Sequence, residues 1–387
     1  MRDEYLPFGR PNFSDAEIAA VTRVLKSGWV GMGPETIAFE RELAEYLGAP
    51  HVVTVNSCTS ALFLSLVVQG IRPGDEVICP SFTWCATANA ALLLGARPIF
   101  CDIDPATHCV TAETVLSRVT ARTRAVIVVH FGGLPMDVQG LRAALPESIA
   151  IVEDAAHALG ARFENGARVG ASGNLTCFSF YANKNLSTGD GGAIALFDQK
   201  LAERLQSLRQ NALPIDAWRR FTHARSLLLS EGLTELGYKM NYTDLQACIG
   251  RVQLARQNEF ERTRLEIAKH YVARLSKITP PLRFQDRCLD PRHARHLFTV
   301  QLPSNGARMG RDALVVALRE MNIGAALHYA PLHQMPLYRG DSASPSLPLT
   351  EKVAKLIMTL PISASMTLDD AEYVAVGLKR LCGDASS

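Results

Sequence analysis

Short apolar segments alternate with helix-like segments through the first half of the chain, and this alternation constrains the fold more than any other feature. Strand-like runs lie at residues 52–55, 76–79, 97–101, 125–129 and 149–153. Helical patterns lie between them at 60–69, 86–94, 111–119 and 138–145. Repeated strand–helix–strand units predict an α/β fold with a mainly parallel sheet flanked by helices. Ligands of such sheets bind beyond the carboxyl ends of the strands, so functional residues are expected there.

The length of 387 residues predicts two domains. We expect a large domain with an N-terminal arm over residues 1–250 and a smaller C-terminal α+β domain over 251–387. A long helix from Asp244 past Lys269 to Ser276 is the candidate link between them. In the smaller domain the predicted strands are 296–302 and 325–328, and the predicted helices are 311–321 and 368–381.

Composition excludes several classes of protein. The net charge is only +2, so no strong attraction to nucleic acid or to a membrane surface is implied. The nine cysteines include no CxxC pair and no metal-ligand spacing, which indicates buried thiols in a reducing compartment and no metal site. The N-terminus has no apolar signal core, and no run approaches the length of a membrane span. We therefore expect a cytoplasmic protein.

Lys184 lies in a polar turn between two predicted strands, 178–181 and 193–197. Glycines at 189, 191 and 192 permit backbone angles that other residues avoid. A lysine held between buried strands can be partly desolvated, which lowers its pKa and provides a nucleophilic amine for a Schiff base. An isolated lysine is more often a solvated loop residue, so this interpretation depends on its neighbours.

Three other strand ends carry polar or aromatic residues. The segment 56–61 follows the first strand, and its small hydroxyl residues at a helix start suit a phosphate, although a helix cap is the simpler reading. Ser179 could supply another hydroxyl to the same anion. Asp154 follows the strand at 149–153, where a carboxylate could keep a heteroaromatic nitrogen protonated or simply cap a helix. Trp84 could stack on a flat ring or belong to the core.

These residues together are the parts that a protein needs to bind pyridoxal 5′-phosphate (PLP): a phosphate site, a stacking ring, an acid for the ring nitrogen and an amine. His157 lies three residues after Asp154. A lone histidine is weak evidence of a functional site, so His157 is a candidate only because the other residues of the set are present. Each feature alone is weak, but their combination in one chain predicts a PLP enzyme.

The sequence resembles the DegT/StrS-type sugar-nucleotide aminotransferases, which belong to the fold-type I, aspartate-aminotransferase-like PLP enzymes. The most specific matching segments are Glu-Asp-Ala-Ala-His at 153–157 and Lys-Asn-Leu-Ser-Thr-Gly-Asp-Gly-Gly at 184–192. Further matches lie at 27–34, 56–61, 80–90 and 237–247, so the resemblance covers nearly the whole chain. Cys58 stands where the family often has glycine, and Asn183 where it often has threonine.

The resemblance implies a role for each matching residue. Lys184 would bind PLP covalently, with pyridoxamine phosphate as the intermediate form, and Asp154 and His157 would complete the catalytic set. Asn241 would reach the phosphate from the neighbouring subunit, which implies a homodimer with shared active sites. The remaining cofactor contacts would be Thr59, Ser60, Trp84 and Ser179, and the sugar-nucleotide contacts would be Ser27, Gly28, Trp29, His328, Tyr329 and His333.

The resemblance implies transfer of an amino group from glutamate, which leaves as 2-oxoglutarate, to a keto sugar nucleotide. The family members most like this chain aminate UDP- or dTDP-linked 4-keto-6-deoxy sugars or 4-keto pentoses, whose products serve polysaccharide, lipid A, O-antigen or antibiotic glycoside synthesis. A cyclitol or 3-keto sugar aminotransferase is an alternative, because specificity lies in loops. A non-catalytic regulatory or binding protein on the same fold is a more remote alternative. Dehydratase relatives carry histidine at the lysine position, and this chain carries Lys184.

Overall fold

The structure is a computed structural model that describes residues 3–213, 218, 222, 233–305, 308–339 and 345–382. Seven strands form its large sheet: β1 (His51–Val55), β2 (Glu76–Pro80), β3 (Arg97–Cys101), β4 (Thr123–Val129), β5 (Ala150–Asp154), β6 (Leu175–Ser179) and β7 (Gly192–Leu196). All seven were predicted, with bounds that differ by up to three residues. The strand expected at 178–181 begins earlier, at Leu175, and ends at Ser179, so the chain turns away from the sheet sooner than predicted.

The α-helices of the described chain either flank this sheet or belong to the C-terminal part of the chain. They are α1 (Asp15–Ser27), α2 (Pro34–Leu47), α3 (Cys58–Val68), α4 (Cys85–Leu92), α5 (Ala112–Leu116), α6 (Val138–Ala144), α7 (Gln199–Leu208), α8 (Asp244–Ala255), α9 (Gln257–Leu275), α10 (Arg311–Glu320), α11 (Pro336–Arg339), α12 (Pro348–Leu356) and α13 (Leu368–Cys382). α1 starts with a capping box, in which the Ser14 side chain accepts from the first turn and Glu17 accepts from Ser14 N–H at 2.8 Å.

The strand order of the large sheet is β1-β7-β6-β5-β4-β2-β3. β2 pairs in parallel with β3 and with β4, and β4, β5 and β6 continue the parallel set. β7 is antiparallel to both β6 and β1, so β1 runs in the same direction as the parallel strands. The mainly parallel α/β prediction is therefore confirmed. The carboxyl ends of β1, β5 and β6 lie at one edge of the sheet, and β7 begins at that edge.

Both faces of the large sheet are buried, because successive side chains of a strand point to opposite sides. On one face Val77 and Ile127 pack with the apolar residues of α3, α4 and α7. On the other face Ile78 and Val126 pack with residues of α6. The segments that follow the strands therefore begin at a sheet that is packed on both faces.

The C-terminal part of the chain forms a second core around a three-stranded sheet of β8 (Arg283–Phe284), β9 (Phe298–Gln301) and β10 (Ile357–Leu360). The single helix predicted across 244–276 is wrong, because the chain breaks at Arg256 (ψ 2°) into α8 and α9. The guanidinium of Arg256 binds Asn12 and Glu17 near α1. The break allows α8 to pack on α1 and α2, and α9 to pack on α13.

The strand predicted at 325–328 is also wrong, since only a single bridge joins Ala326 to Thr359. The side chain of the same Thr359 also contacts the His328 ring, with Nδ1 2.8 Å from Oγ1. The boundary between the predicted domains at residues 250 and 251 falls inside α8 and stays a prediction. Among the described residues, no helix combines the length and the apolar character that crossing a bilayer requires.

Asp244 attaches α8 to the start of α2. Its buried carboxylate accepts from Gly33 N at 2.8 Å, and from Thr36 N at 2.9 Å and Thr36 Oγ1 at 2.7 Å. These donors belong to the first turn of α2, whose own preceding residue provides no side-chain cap.

We predict that Asp244→Ala lowers the free energy of unfolding by about 3 kcal/mol, because several buried donors lose their acceptor. Urea unfolding of the purified protein measures this. The matched control is Asp198→Ala, which removes the exposed cap of α7 at Leu201 N and should cost about 1 kcal/mol. Equal losses in the two variants would contradict the role given to Asp244.

Candidate active site

Lys184 lies on a loop whose two ends are joined at the functional edge of the large sheet. Phe180 N donates to Gly191 O at 2.9 Å, and Thr188 N donates to Phe180 O at 3.0 Å. The buried Tyr242 hydroxyl donates to Thr188 Oγ1 at 2.6 Å. Gly191 has φ 146°, and a Cβ there would lie 2.5 Å from the Tyr242 ring. The loop is therefore held closed by backbone pairing and a buried tyrosine.

The amine of Lys184 is half-buried and close to a buried histidine. Its Nζ lies 3.3 Å from Nε2 of His296. Desolvation by burial lowers the pKa of Lys184 to about 8, against the smaller opposing effects of Cys58 and Asp154. A pKa of about 8 makes the neutral fraction near neutral pH far larger than that of an ordinary lysine, and the neutral amine is the state that a nucleophile requires.

Asp154 is the last residue of β5 and is buried at the same edge. Oδ2 accepts from Thr87 Oγ1 at 2.8 Å, and Oδ1 accepts from Ala156 N at 3.1 Å. Burial raises the pKa of Asp154, while these hydrogen bonds and the nearby Lys184 lower it. A buried carboxylate of this kind gains stability from a cationic partner, such as a protonated ring nitrogen.

His157 lies in the turn after β5, as the sequence predicted, and its ring is neutral. Burial lowers the pKa of His157 well below its usual value. Gly132 N donates to Nδ1 at 3.3 Å, so the ring proton is on Nε2, which lies 3.1 Å from the Tyr329 hydroxyl. The rings of His157 and Tyr329 are nearly parallel, at 14°. The structure thus brings the predicted residues His157 and Tyr329 together.

The start of α3 offers free hydrogen-bond donors beside the lysine loop. Ser57 Oγ accepts from Ser60 N at 3.1 Å and Ser57 O accepts from Ala61 N, which leaves the N–H groups of Cys58 and Thr59 as first-turn donors without an assigned acceptor in the described chain. The Thr59 side chain is exposed and Ser60 is buried. Such a helix start suits a phosphate.

The lysine loop and the start of α3 are in backbone contact. A Cβ at Gly192, the first residue of β7, would lie 2.6 Å from the carbonyl carbon of Ser57 and 2.7 Å from Cys58 N. Opposite Gly192 in the β6 register is Ser179, another predicted phosphate contact. Ser179 Oγ accepts from Tyr181 N at 3.4 Å. The predicted phosphate residues are therefore adjacent to the loop that carries Lys184.

Trp84 precedes α4 and lies at the mouth of this site. Its side chain is 62% exposed, and its ring centroid is 6.1 Å from that of Tyr329. A large exposed indole beside buried polar groups is consistent with a surface that a flat ligand or another subunit covers. The predicted stacking role stays a prediction.

His328 and His333 differ in their surroundings. His328 binds Thr359 and packs 5.1 Å from Phe8, and burial lowers the pKa of His328 to about 4. His333 is fully buried, with Nδ1 2.6 Å from Ser81 Oγ and Nε2 3.3 Å from Glu351. These contacts are those of a residue that fixes the loop before α11, and its predicted substrate contact stays a prediction.

The other predicted substrate residues lie in a separate cleft. Gly28, Trp29 and Asn241 line a cavity of about 350 Å³ whose lining includes none of the residues around Lys184. Gly28 ends α1 with φ 75°, the left-handed conformation that favours glycine, and Ser27 Oγ accepts from Trp29 N at 3.2 Å. The lining of this cavity is therefore distinct from the group of residues around Lys184.

Sequence reasoning missed His296 and Thr87, which contact Lys184 and Asp154 directly. His296 precedes β9, in a stretch predicted only as a strand. Thr87 lies on α4 inside an apolar helix pattern. The only available signal was that both are polar residues in segments otherwise rich in buried apolar side chains.

The residues present fit PLP. The free donors at the start of α3 suit its phosphate, and the buried Asp154 suits its ring nitrogen. Lys184 supplies an amine with a pKa of about 8 at the same edge. Gly192, which leaves no room for a side chain, keeps the two ends of this site adjacent.

Comparisons with known proteins identify a family and similar structures for the chain. Residues 11–379 match the model of the DegT/DnrJ/EryC1/StrS aminotransferase family. The aminotransferase TlmJ from Streptoalloteichus hindustanus is 35% identical, with 97% of this chain and 98% of that chain covered and a TM-score of 0.86. DesV from S. venezuelae is 33% identical, with the same coverage and TM-score.

A third similar structure is the PLP form of the putative sugar aminotransferase Spr1654 from Streptococcus pneumoniae. It is 26% identical, with 97% of this chain and 98% of that chain covered and a TM-score of 0.88. The match extends over both the large sheet and the C-terminal core, so it concerns the whole arrangement of the chain.

Proposed function

Because the chain belongs to the DegT/DnrJ/EryC1/StrS aminotransferase family, a family of PLP-dependent sugar aminotransferases, we propose that it moves an amino group from glutamate to a keto sugar nucleotide. The observation that carries this proposal is the desolvated amine of Lys184, placed at one sheet edge with Asp154 and the open start of α3. Family membership supports the aminotransferase class, and the geometry supports the roles of individual residues.

PLP supplies an aldehyde that an amine can bind covalently and a ring that accepts electrons. Lys184 is the residue that forms this covalent bond in our proposal. Asp154 would hold the ring nitrogen of the cofactor protonated. His157, whose Nε2–H faces the Tyr329 hydroxyl, would lie beside the cofactor ring. The N–H groups of Cys58 and Thr59, with Ser60 and Ser179, would bind the phosphate.

Lys184 Nζ is also the proposed proton carrier. With a pKa of about 8, the amine is able to accept a proton from the donor's α-carbon and to release it again near neutral pH. When the substrate is a keto sugar, the same amine moves the proton in the reverse direction.

The acceptor is proposed to be a nucleotide-linked 4-keto-6-deoxy sugar or 4-keto pentose. A cyclitol or a 3-keto sugar is the alternative acceptor. His328 and Tyr329, beside the proposed cofactor site, would face the sugar ring, while the cleft of Gly28 and Trp29 would face the nucleotide. Loop residues of this kind determine specificity, so the identity of the sugar is a question for assay.

A homodimer would unite the two separated groups of residues. Asn241 lines the cleft with Gly28 and Trp29, away from Lys184 of its own chain, while the surface beside Lys184 exposes Trp84 and Tyr181. A two-fold dimer places the same patch of each subunit opposite its equivalent, so each cleft can complete the partner's site. Asn241 would then reach the phosphate bound by the other subunit.

We predict that Lys184→Ala abolishes the visible absorbance of PLP-loaded protein and its conversion by glutamate. Borohydride reduction followed by peptide mapping should place the cofactor on Lys184 in the wild-type protein. Asp154→Asn should retain the label but lose at least about a hundredfold in rate. Normal turnover by Lys184→Ala would disprove the proposal, and a loaded protein that glutamate leaves unchanged would favour a non-catalytic role.

We expect amination of a UDP- or dTDP-linked 4-keto sugar in a panel that also contains GDP-linked and 3-keto sugars and a keto cyclitol. Product formation, followed by mass spectrometry with glutamate as donor, identifies the acceptor. Turnover of the 3-keto sugar or the cyclitol alone would move the assignment to the alternative.

We predict that mixing two inactive variants restores activity. Lys184→Ala lacks the amine, and Asn241→Asp places a negative charge against the phosphate bound by the partner subunit. Random exchange of subunits makes half of the dimers hybrid, with one intact site in each, so about a quarter of wild-type activity should return. Lys184→Ala mixed with Asp154→Asn is the control and should return none, because both residues are proposed to serve the same site from one chain.

A further inference from the structure

His296 contacts the reactive lysine, yet none of the roles proposed above uses it. Its Nε2 is 3.3 Å from Lys184 Nζ, and the residue is only 4% exposed. The ring lies 4.5 Å from that of His157, centroid to centroid, with 33° between their planes. His296 therefore has a fixed position and a nitrogen directed at the amine.

Asn185 determines the tautomer of His296, that is, which ring nitrogen carries the hydrogen. Its Nδ2 donates to Ala294 O at 2.9 Å and to Leu159 O at 3.4 Å. Backbone carbonyls only accept, so the amide cannot be reversed, and its Oδ1 is the atom that lies 3.3 Å from His296 Nδ1. Nδ1 must therefore carry the hydrogen. Nε2 is left with a lone pair that faces Lys184.

The ring is also neutral. Burial is the main cause that lowers the pKa of His296 well below its usual value. The basic groups Lys184 and Arg264 lower it further, as would any protonation of His157 or His328. Cys58 and Asp154 are the groups that face Lys184 with the opposite effect. A neutral imidazole with this tautomer can accept a hydrogen bond from an ammonium group without taking its proton.

We propose that His296 is a positioning residue that holds the free amine of Lys184 through a hydrogen bond accepted at Nε2, with Asn185 fixing the tautomer. The inference deepens the proposed function and depends on it in one respect: an amine that forms and breaks a covalent bond in each cycle must be kept near the reacting atoms while it is free. His296 provides that position, and the loop alone would leave a four-carbon side chain free to rotate.

The pKa of Lys184 in the full-length, cofactor-free protein tests this role. The rate at which acetic anhydride labels Lys184, followed against pH by peptide mass spectrometry, reports that pKa, since only the neutral amine reacts. In His296→Leu we expect the pKa of Lys184 to fall by about one, because the ammonium form loses its acceptor. A purely structural role would give the opposite sign: a loosened pocket admits water and raises the pKa toward 10.5. A rise or an unchanged value would overturn the proposal.

Two variants at neighbouring positions sharpen the test. His296→Gln keeps an oxygen able to accept, so the pKa of Lys184 should remain closer to wild type than in His296→Leu, and an equal fall would contradict the proposal. His293→Gln is the matched control. His293 is buried in the same segment and bonds Gln285 Oε1 at 3.1 Å and Arg295 N at 2.8 Å. His293→Gln should leave the pKa of Lys184 unchanged, and a fall equal to that in His296→Leu would overturn the proposal, because His293 makes its hydrogen bonds to Gln285 and Arg295 and not to the amine.

Asn185→Leu provides an independent variant if His296→Leu does not fold. Without the amide oxygen the ring is free to place its hydrogen on Nε2, so the pKa of Lys184 should again fall, and an unchanged value would overturn the proposal. The titration uses no cofactor and no turnover. Its failure is therefore distinguishable from failure of the proposed function, which the borohydride label and the glutamate reaction report.

Discussion

The antiparallel insertion of β7 between β1 and β6 is the constraint on which the rest of the site depends. In a fully parallel sheet the chain would leave the edge where β6 ends and return through a crossover. Here β7 starts at the edge where β6 ends, so residues 180–191 close into a loop over that edge. The loop places Lys184 above the carboxyl ends of β1 and β5, where Asp154 and the start of α3 already lie.

Electrostatics at this edge follow from burial rather than from charge pairing. The same desolvation that lowers the pKa of Lys184 keeps His157 and His296 neutral. Neutral imidazoles can accept or donate single hydrogen bonds, so the tautomer of each ring becomes a structural property set by Gly132 N and by Asn185. Burial is therefore the main cause of the lowered pKa of Lys184, and charged neighbours have smaller effects.

Local patterns in the sequence predicted much of this structure. They did not predict contacts between residues that are far apart in the chain. Apolar runs located all seven strands of the large sheet. The break at Arg256 depends on contacts with Asn12, more than two hundred residues away. His296 meets Lys184 across 112 positions, so no local pattern indicates it. The strand expected at 325–328 is reduced to one bridge between Ala326 and Thr359, whose side chain the His328 ring also contacts.

The absence of a side chain at Gly192 has a consequence for how such a site can change. Because the backbone of β7 touches the backbone of Ser57 and Cys58, the start of α3 and the loop that carries Lys184 lie side by side, although they are far apart in the chain. A side chain at position 192 would collide with that backbone, so it could be accommodated only if β7 and the start of α3 moved apart. A substitution at Trp84 meets no such constraint, because 62% of that side chain is exposed.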